Sequence, residues 1–255
     1  MSTDSGARLV GSPIRMDLQS ISVAKERTHH AIEGHPLYKA RFAWVLNFHP
    51  PGIAPAGDIT GAFHIDLDGK PLYDRRFLRT FGFYDGRAAV QAGTSWGHID
   101  ESGLPVYPLS FGWVGNFQEE RCAVRTRDNM YYHILRNGSP AYVEKYKFVG
   151  DYHEGSAVVQ REDGLFAHVD RTGTPLNAKR FFDLDVFHKG FARAKDNRGW
   201  FHIDPSGEPL YIRRFVSVEP FYNGQARVEE TSGSLLVIDE KGNTIITFPR
   251  HKISL

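Results

Sequence analysis

An all-β fold of small repeated sheets is what the sequence predicts, and three observations carry the prediction. His-Ile or His-Val recurs at His64, His98, His133, His168 and His202, at intervals of 34, 35, 35 and 34 residues. A glycine follows five residues after each of these, at Gly69, Gly103, Gly138, Gly173 and Gly207. Between the marks lie short runs of β-branched and aromatic residues, separated by Gly, Asn, Asp and Pro, with almost no helical periodicity.

The pattern continues past both ends of that series. Val237 stands in the histidine place before Ile238-Asp239, Gly242 follows, and Gly34 lies one period upstream, so seven turns are marked. Each turn leads into Pro-Leu-Tyr or a relative (Pro71-Leu72-Tyr73, Pro105-Val106-Tyr107, Pro209-Leu210-Tyr211) and then an aromatic at Phe77, Phe111, Tyr146, Phe181 or Phe215. Gly34, Pro36, Tyr38 and Phe42 show the same order earlier. Several units go on with aromatic-x-x-Gly-x-Ala-x-Val, as from Phe83 to Val90 and Phe221 to Val228, whose alternation reads as a buried strand face. Cys122 takes the small-residue slot of its copy. Each unit is therefore expected to hold three or four strands of about five residues. Residues 15–30 allow a short helix or an extended closing strand, and the strand is favoured.

A small antiparallel meander cannot cover its own faces and edges, so the units must stack. A ring leaves fewer edges than an open solenoid, which predicts a β-propeller of six or seven short blades. Residues 1–255 are expected to form a single repeat domain. Within it, 1–33 would complete or cap the ring and 34–247 carry the tandem repeats. The incomplete first unit, Gly34 to Phe42, and the last piece, Leu235 to Phe248, suggest one blade closed from both termini.

At 41% hydrophobic and 24% charged residues the composition is that of an ordinary folded protein, and no run approaches the length of a membrane span. A formal charge of +1 with scattered Lys and Arg supplies no basic field, which argues against nucleic acid as partner. The first fifteen residues lack the apolar core of a secretory signal and Cys122 is the single cysteine, so a reducing cytoplasm is expected.

Aromatic-x-x-Gly-x-Ala, followed by Trp96-Gly97-His98-Ile99-Asp100 and Gly103, resembles the WG-repeat family over roughly residues 34–247. The resemblance implies a repeat array without one shared activity. Trp-Gly is intact only at Trp96-Gly97, Trp200 is followed by Phe201, and histidine stands where the family usually carries an aromatic.

Candidate chemistry lies in two columns of the repeat. The near-invariant histidines suit a structural role, each imidazole bonding a neighbouring blade or its own turn, or bridging to the following Asp; the rival is a ring of imidazoles around a divalent ion. More informative is the column after the aromatic of aromatic-x-x-Gly, where His49, Tyr84, Gln118, His153, His188 and Tyr222 differ from copy to copy. Asn47, Asn116 and Asp151 precede it, and Asp85, Glu119, Glu154, Lys189 and Asn223 follow, in turns where sites concentrate. If the Ala-x-Val strand is innermost, these turns ring one mouth of the channel.

Two uses follow. His49, His153 and His188 with Asp151, Glu154 and Asp85 are candidates for holding Zn²⁺, Fe²⁺ or Mn²⁺. Without a metal, a histidine serves as general base with Tyr84 or Tyr222 as acid, Lys189 neutralises an anionic substrate, and Gln118 and Asn223 complete a ligand-binding set. The basic pairs Arg75-Arg76, Lys179-Arg180 and Arg213-Arg214, with Arg41 in the same column, fit inter-blade ion pairs better than an anion grip. No phosphate loop, Cys-x-x-Cys or nucleophile elbow occurs. The expected function is binding of a small polar ligand or a protein partner, the alternative a small-molecule enzyme on the same face.

Overall fold

The computed structural model describes residues 17–248. The chain forms two compact units, Met1–Arg76 and Phe77–Leu255. Both are built from small antiparallel meanders, seven sheets among the described residues, one to each repeat. This is β-propeller architecture.

In the first unit a 3-10 turn, Leu18–Ser20, is capped by Asp17, whose carboxylate accepts from the Gln19 amide. It leads into β1 (Ile21–Val23), β2 (His30–Ile32) and β3 (His35–Pro36), which form one sheet. The stretch read as helix or strand is thus a short turn followed by strands; Arg15 and Met16 lie outside the described residues. A second sheet holds β4 (Trp44–Val45), β5 (Ala54–Asp58) and β6 (Gly61–Ile65).

The second unit repeats the same order five times. Its sheets are β7 (Arg79–Tyr84), β8 (Arg87–Ala92) and β9 (Ser95–Ile99); β10 (Trp113–Gln118), β11 (Arg121–Arg125) and β12 (Tyr131–Leu135); then β13 (Phe148–Val149), β14 (Ser156–Gln160) and β15 (Phe166–Asp170). They are followed by β16 (Asp183–Leu184), β17 (Ala192–Asp196) and β18 (Gly199–Ile203), and finally β19 (Ser217–Val218), β20 (Gln225–Glu229), β21 (Leu235–Asp239) and β22 (Thr244–Phe248).

The Ala-x-Val strand is paired on both edges and so is not the innermost: β8 pairs with both β7 and β9, and β20 with both β19 and β21. Flanked by partners on both edges and covered on both faces, it tolerates only small or β-branched residues, and Ala88, Ala89 and Val90 are all buried. After the glycine turn the chain touches the third strand only at single bridges, Ile134 with Pro140 and Tyr131 with Tyr146. Proline cannot donate to a ladder, so a regular fourth strand fails there. In the last repeat Thr244 replaces the proline and β22 pairs along its length. Leu235–Asp239 pair with Gln225–Glu229 on one edge and with Thr244–Phe248 on the other, making this sheet four-stranded.

The histidine column joins one sheet to the next. His98, His133 and His202 are buried, and from Nε2 they bond the carbonyl oxygens of Gly115, Gly150 and Glu219 at 2.9, 2.8 and 2.8 Å. His168 does the same to Asp185 at 2.8 Å. These carbonyls are available because the first strand of each sheet breaks its ladder at that place. The register shifts between Val114 and Phe117, and Gly150, Asp185 and Glu219 follow directly on the two-residue strands β13, β16 and β19. A carbonyl only accepts, so Nε2 carries the proton and Nδ1 is left as acceptor. A tyrosine hydroxyl donates to it: Tyr142 to His133 at 2.5 Å, Tyr211 to His202 at 2.6 Å, and Tyr107 to His98.

The same device holds the first unit, where His30 bonds the Leu46 carbonyl at 2.8 Å and Tyr38 at 2.6 Å. Burial lowers His98, His133, His168 and His202 to about 4 and pushes Tyr38 up to about 12. The tyrosine ring is gripped from its other side by the glycine of the following repeat. A Cβ on Gly173 would lie 2.5 Å from Tyr142, and one on Gly138 2.5 Å from Tyr107.

The imidazoles of His98 and His202 bond a tyrosine and a carbonyl and not the aspartate that follows them. Asp100 and Asp204 instead accept from the amides of their own glycine turns, at Ser102 and Leu104 and at Ser206 and Glu208. The second arginine of the basic pairs is likewise used locally. Arg214 bonds the carbonyls of Tyr211, Ile212 and Arg213, pairs with Asp196 at 2.8 Å and lies 3.6 Å over Phe201. Arg76 and Arg41 wrap their own loops in the same way.

Candidate functional site

Each residue of the variable column is the last before the hairpin that joins the first and second strands of a sheet. In the second unit these hairpins are two-residue loops with positive φ at both positions: Asp85 and Gly86 (50° and 69°), Glu119 and Glu120 (48° and 66°), Glu154 and Gly155 (49° and 77°). Lys189 and Gly190 (53° and 80°) and Asn223 and Gly224 (50° and 74°) complete the series. Such tight turns match the twist of the flanking strands and hold the residue before them at a fixed place. His49 lies in the first unit on a longer loop, bridged to Ile53 across Pro50-Pro51-Gly52.

Successive turns of the second unit are linked. Glu119 accepts from the Gly155 amide at 3.0 Å and from Arg171 at 2.9 Å. Partial burial opposes its charge, yet Arg171 and the amide hold its carboxyl below the usual range. Glu154 accepts from the Lys189 and Gly190 amides at 2.6 and 2.9 Å, and chiefly the Gly190 amide lowers its pKa. The rings of His153, His188 and Tyr222 follow one another with centroids 6.5 and 6.2 Å apart, the second pair stacked. His153 Nδ1 meets the Phe187 carbonyl at 2.7 Å, and Lys189 Nζ lies 4.5 Å from the Tyr222 ring centre.

So the structure brings His153, Glu154, His188, Lys189, Tyr222 and Asn223 into one ladder of turns. Gln118, at the end of β10, stands one step before it and pairs with Arg121. Tyr84 and Asp85 occupy the turn before that, where the Asp85 carbonyl accepts from Arg136 at 2.6 Å. Asp151 is solvent-accessible, but the protein around it thins its water shell and raises its carboxyl. The ladder lies at the surface, with His153 and Tyr222 exposed and His188 half-buried, and a cleft of about 650 Å³ in the same unit is lined by other residues, among them Lys145, Arg161, Asp163 and Thr172.

Among the described residues no three His, Cys, Asp or Glu side chains come together as metal ligands. His30, His98, His133 and His202 spend both ring nitrogens on a tyrosine and a carbonyl, and the His153 and His188 rings are tilted with centroids 6.5 Å apart, so among the described residues neither set of histidines is gathered around one point. Cys122 is buried, its Sγ 3.2 Å from the Ala123 carbonyl, and desolvation pushes the thiol up, which suits packing and not nucleophilic attack. No helix among the described residues is long and apolar enough to cross a membrane.

The Trp-Gly pair at the start of the second repeat is fixed by packing. Trp96 stacks on Phe81 at 6.0 Å, and a Cβ on Gly97 would fall 2.4 Å from Leu109. Residues 96–131 match the WG containing repeat. The family resemblance read from Trp96-Gly97 and the glycine turn is thus found directly in one WG repeat. No curated protein matches the chain.

Among solved structures the chain is similar to one titled as the eukaryotic initiation factor, at 13% identity and a TM-score of 0.53, over 86% of this chain and 68% of that one. It is also similar to BamB from Moraxella catarrhalis (13%, 0.48, 92% and 86%) and to the WD40 beta propeller domain of Doa1 (14%, 0.37, 85% and 88%). At such identities the likeness concerns the fold alone.

Proposed function

We propose that this WG-repeat propeller is a binding scaffold that receives a small polar ligand or a protein partner on the ladder of turns at His153, His188 and Tyr222. One observation carries the reading: three rings, each in a different repeat, stand in file on an open surface, in the column whose identity changes from copy to copy. Glu154 and Glu119 tie the turns beneath them, so the surface is organised before anything binds. Among these three side chains no hydrogen bond links one to another, and ring spacings near 6 Å suit stacking of a planar group more than proton relay.

Amide NMR on the full chain against a panel of polar metabolites and short peptides tests this. Shifts are expected to cluster at residues 153–155, 188–190 and 222–224, and to vanish in His188→Ala with the rest of the spectrum retained. Ligands whose shifts map elsewhere would overturn it. So would turnover abolished in His188→Ala, which would establish the small-molecule enzyme instead.

A further inference from the structure

The ladder of turns contains one exchange of charge. The amide of Gly155 is met by the carboxylate of Glu119, and those of Lys189 and Gly190 by the carboxylate of Glu154, each from the preceding turn. One step on, the turn Asn223–Gly224 has the same left-handed backbone, but the residue in the glutamate column before it is Lys189. Among the described residues no acceptor reaches the Asn223 or Gly224 amide, and Lys189 pairs with no carboxylate. Its ammonium rests over Tyr222, which is 69% exposed.

We propose that Lys189 Nζ and the amides of Asn223 and Gly224 receive an anionic group, a carboxylate or phosphate, of the ligand. Consecutive amides in a left-handed pair make an anion-binding concavity, and Glu154 shows this chain using one in that way. The Tyr222 ring forms the floor, and His188 stacks behind it. The charge around the turn distinguishes it from its relatives. The Glu119–Glu120 turn carries two carboxylates of its own, with Asp85 in the column before it, and repels an anion; Asn223–Gly224 has Lys189. A carboxylate that opposes an anion here is that of Glu240, whose Oε1 lies 3.8 Å from where a Cβ on Gly224 would stand.

This rests on the reading that the ladder binds a ligand, and its test is separable from that reading. The full chain is titrated with inorganic phosphate, and separately with acetate, at constant ionic strength, while amide NMR follows Asn223 and Gly224. Saturable shifts at both amides are expected with at least one anion, and the anion that saturates identifies the group. Lys189→Glu should abolish them, because it supplies an internal carboxylate as Glu154 does; Lys189→Ala should weaken binding about tenfold, the share of one charge-assisted contact. No saturable shift with either anion, or shifts that persist in Lys189→Glu, would overturn the proposal. Polar ligands that still map to His153 and His188 in that case would leave the scaffold standing without this subsite.

Discussion

His133 donates from Nε2 to the carbonyl oxygen of Gly150, in the following repeat, at 2.8 Å. With Tyr142 on Nδ1 it is a buried polar group satisfied at both nitrogens, linking two sheets whose apolar faces meet around it. His133→Ala should cost about 3 kcal/mol of stability, from the cavity and the orphaned carbonyl together. His153→Ala, on the exposed ladder, should cost less than about 0.5 kcal/mol. Urea midpoints of the two variants decide it; equal effects would mean that the buried column is not what joins the sheets.

The same histidines predict acid sensitivity. In the folded chain His98, His133, His168 and His202 hold at about 4, whereas an unfolded histidine titrates near 6.5. Between those values the unfolded chain binds protons that the folded chain refuses. Stability is therefore full above about pH 6.5 and falls as pH drops toward 4, by about 1.4 kcal/mol per pH unit for each histidine at the steepest. Denaturation midpoints from pH 7.5 down to 4.5 should show a steep decline, made shallower by His133→Ala relative to its own value at neutral pH.

One copy lacks its tyrosine. Nine residues after His168 stands Asn177, which hydrogen-bonds the Pro205 carbonyl and the Lys179 amide, and Gly207 faces it as Gly173 faces Tyr142. Asn177→Tyr should restore the donor to His168 Nδ1 and the ring against Gly207. A gain of about 1 kcal/mol is expected, read as a raised melting temperature.

Gly173→Ala should have the opposite result. Its φ of 80° disfavours a side chain, and the added Cβ would press on the Tyr142 ring. The two effects together should cost about 2–4 kcal/mol by chemical denaturation. Gly155→Ala has a similar φ of 77° with open space around it, so it isolates the backbone contribution and should cost about 1 kcal/mol.

Periodicity carried much of this architecture. The glycine turns, the histidine column and the small residues of the middle strand all recur at one spacing, because each repeat must meet the next with the same surface. What escaped is what crosses between repeats. His30 belongs to the histidine column but was invisible to a ruler of five residues, since its turn through Glu33-Gly34 is one residue shorter. For the other copies the tyrosine partner could have been found from the constant spacing of His64 and Tyr73, His98 and Tyr107, His133 and Tyr142, and His202 and Tyr211. The Ala-x-Val strand is as small on both faces as an inner strand would be on one, so sequence could not tell the middle of a sheet from its inner edge. The contacts of Glu119 and Glu154 with backbone amides leave no mark beyond an acidic residue in a turn.

The imidazoles of His30, His98, His133, His168 and His202 all reach forward along the chain to a carbonyl oxygen. A genetic duplication that copies any 34- or 35-residue stretch therefore copies one donor and one acceptor together, and the inserted unit arrives already matched to both neighbours.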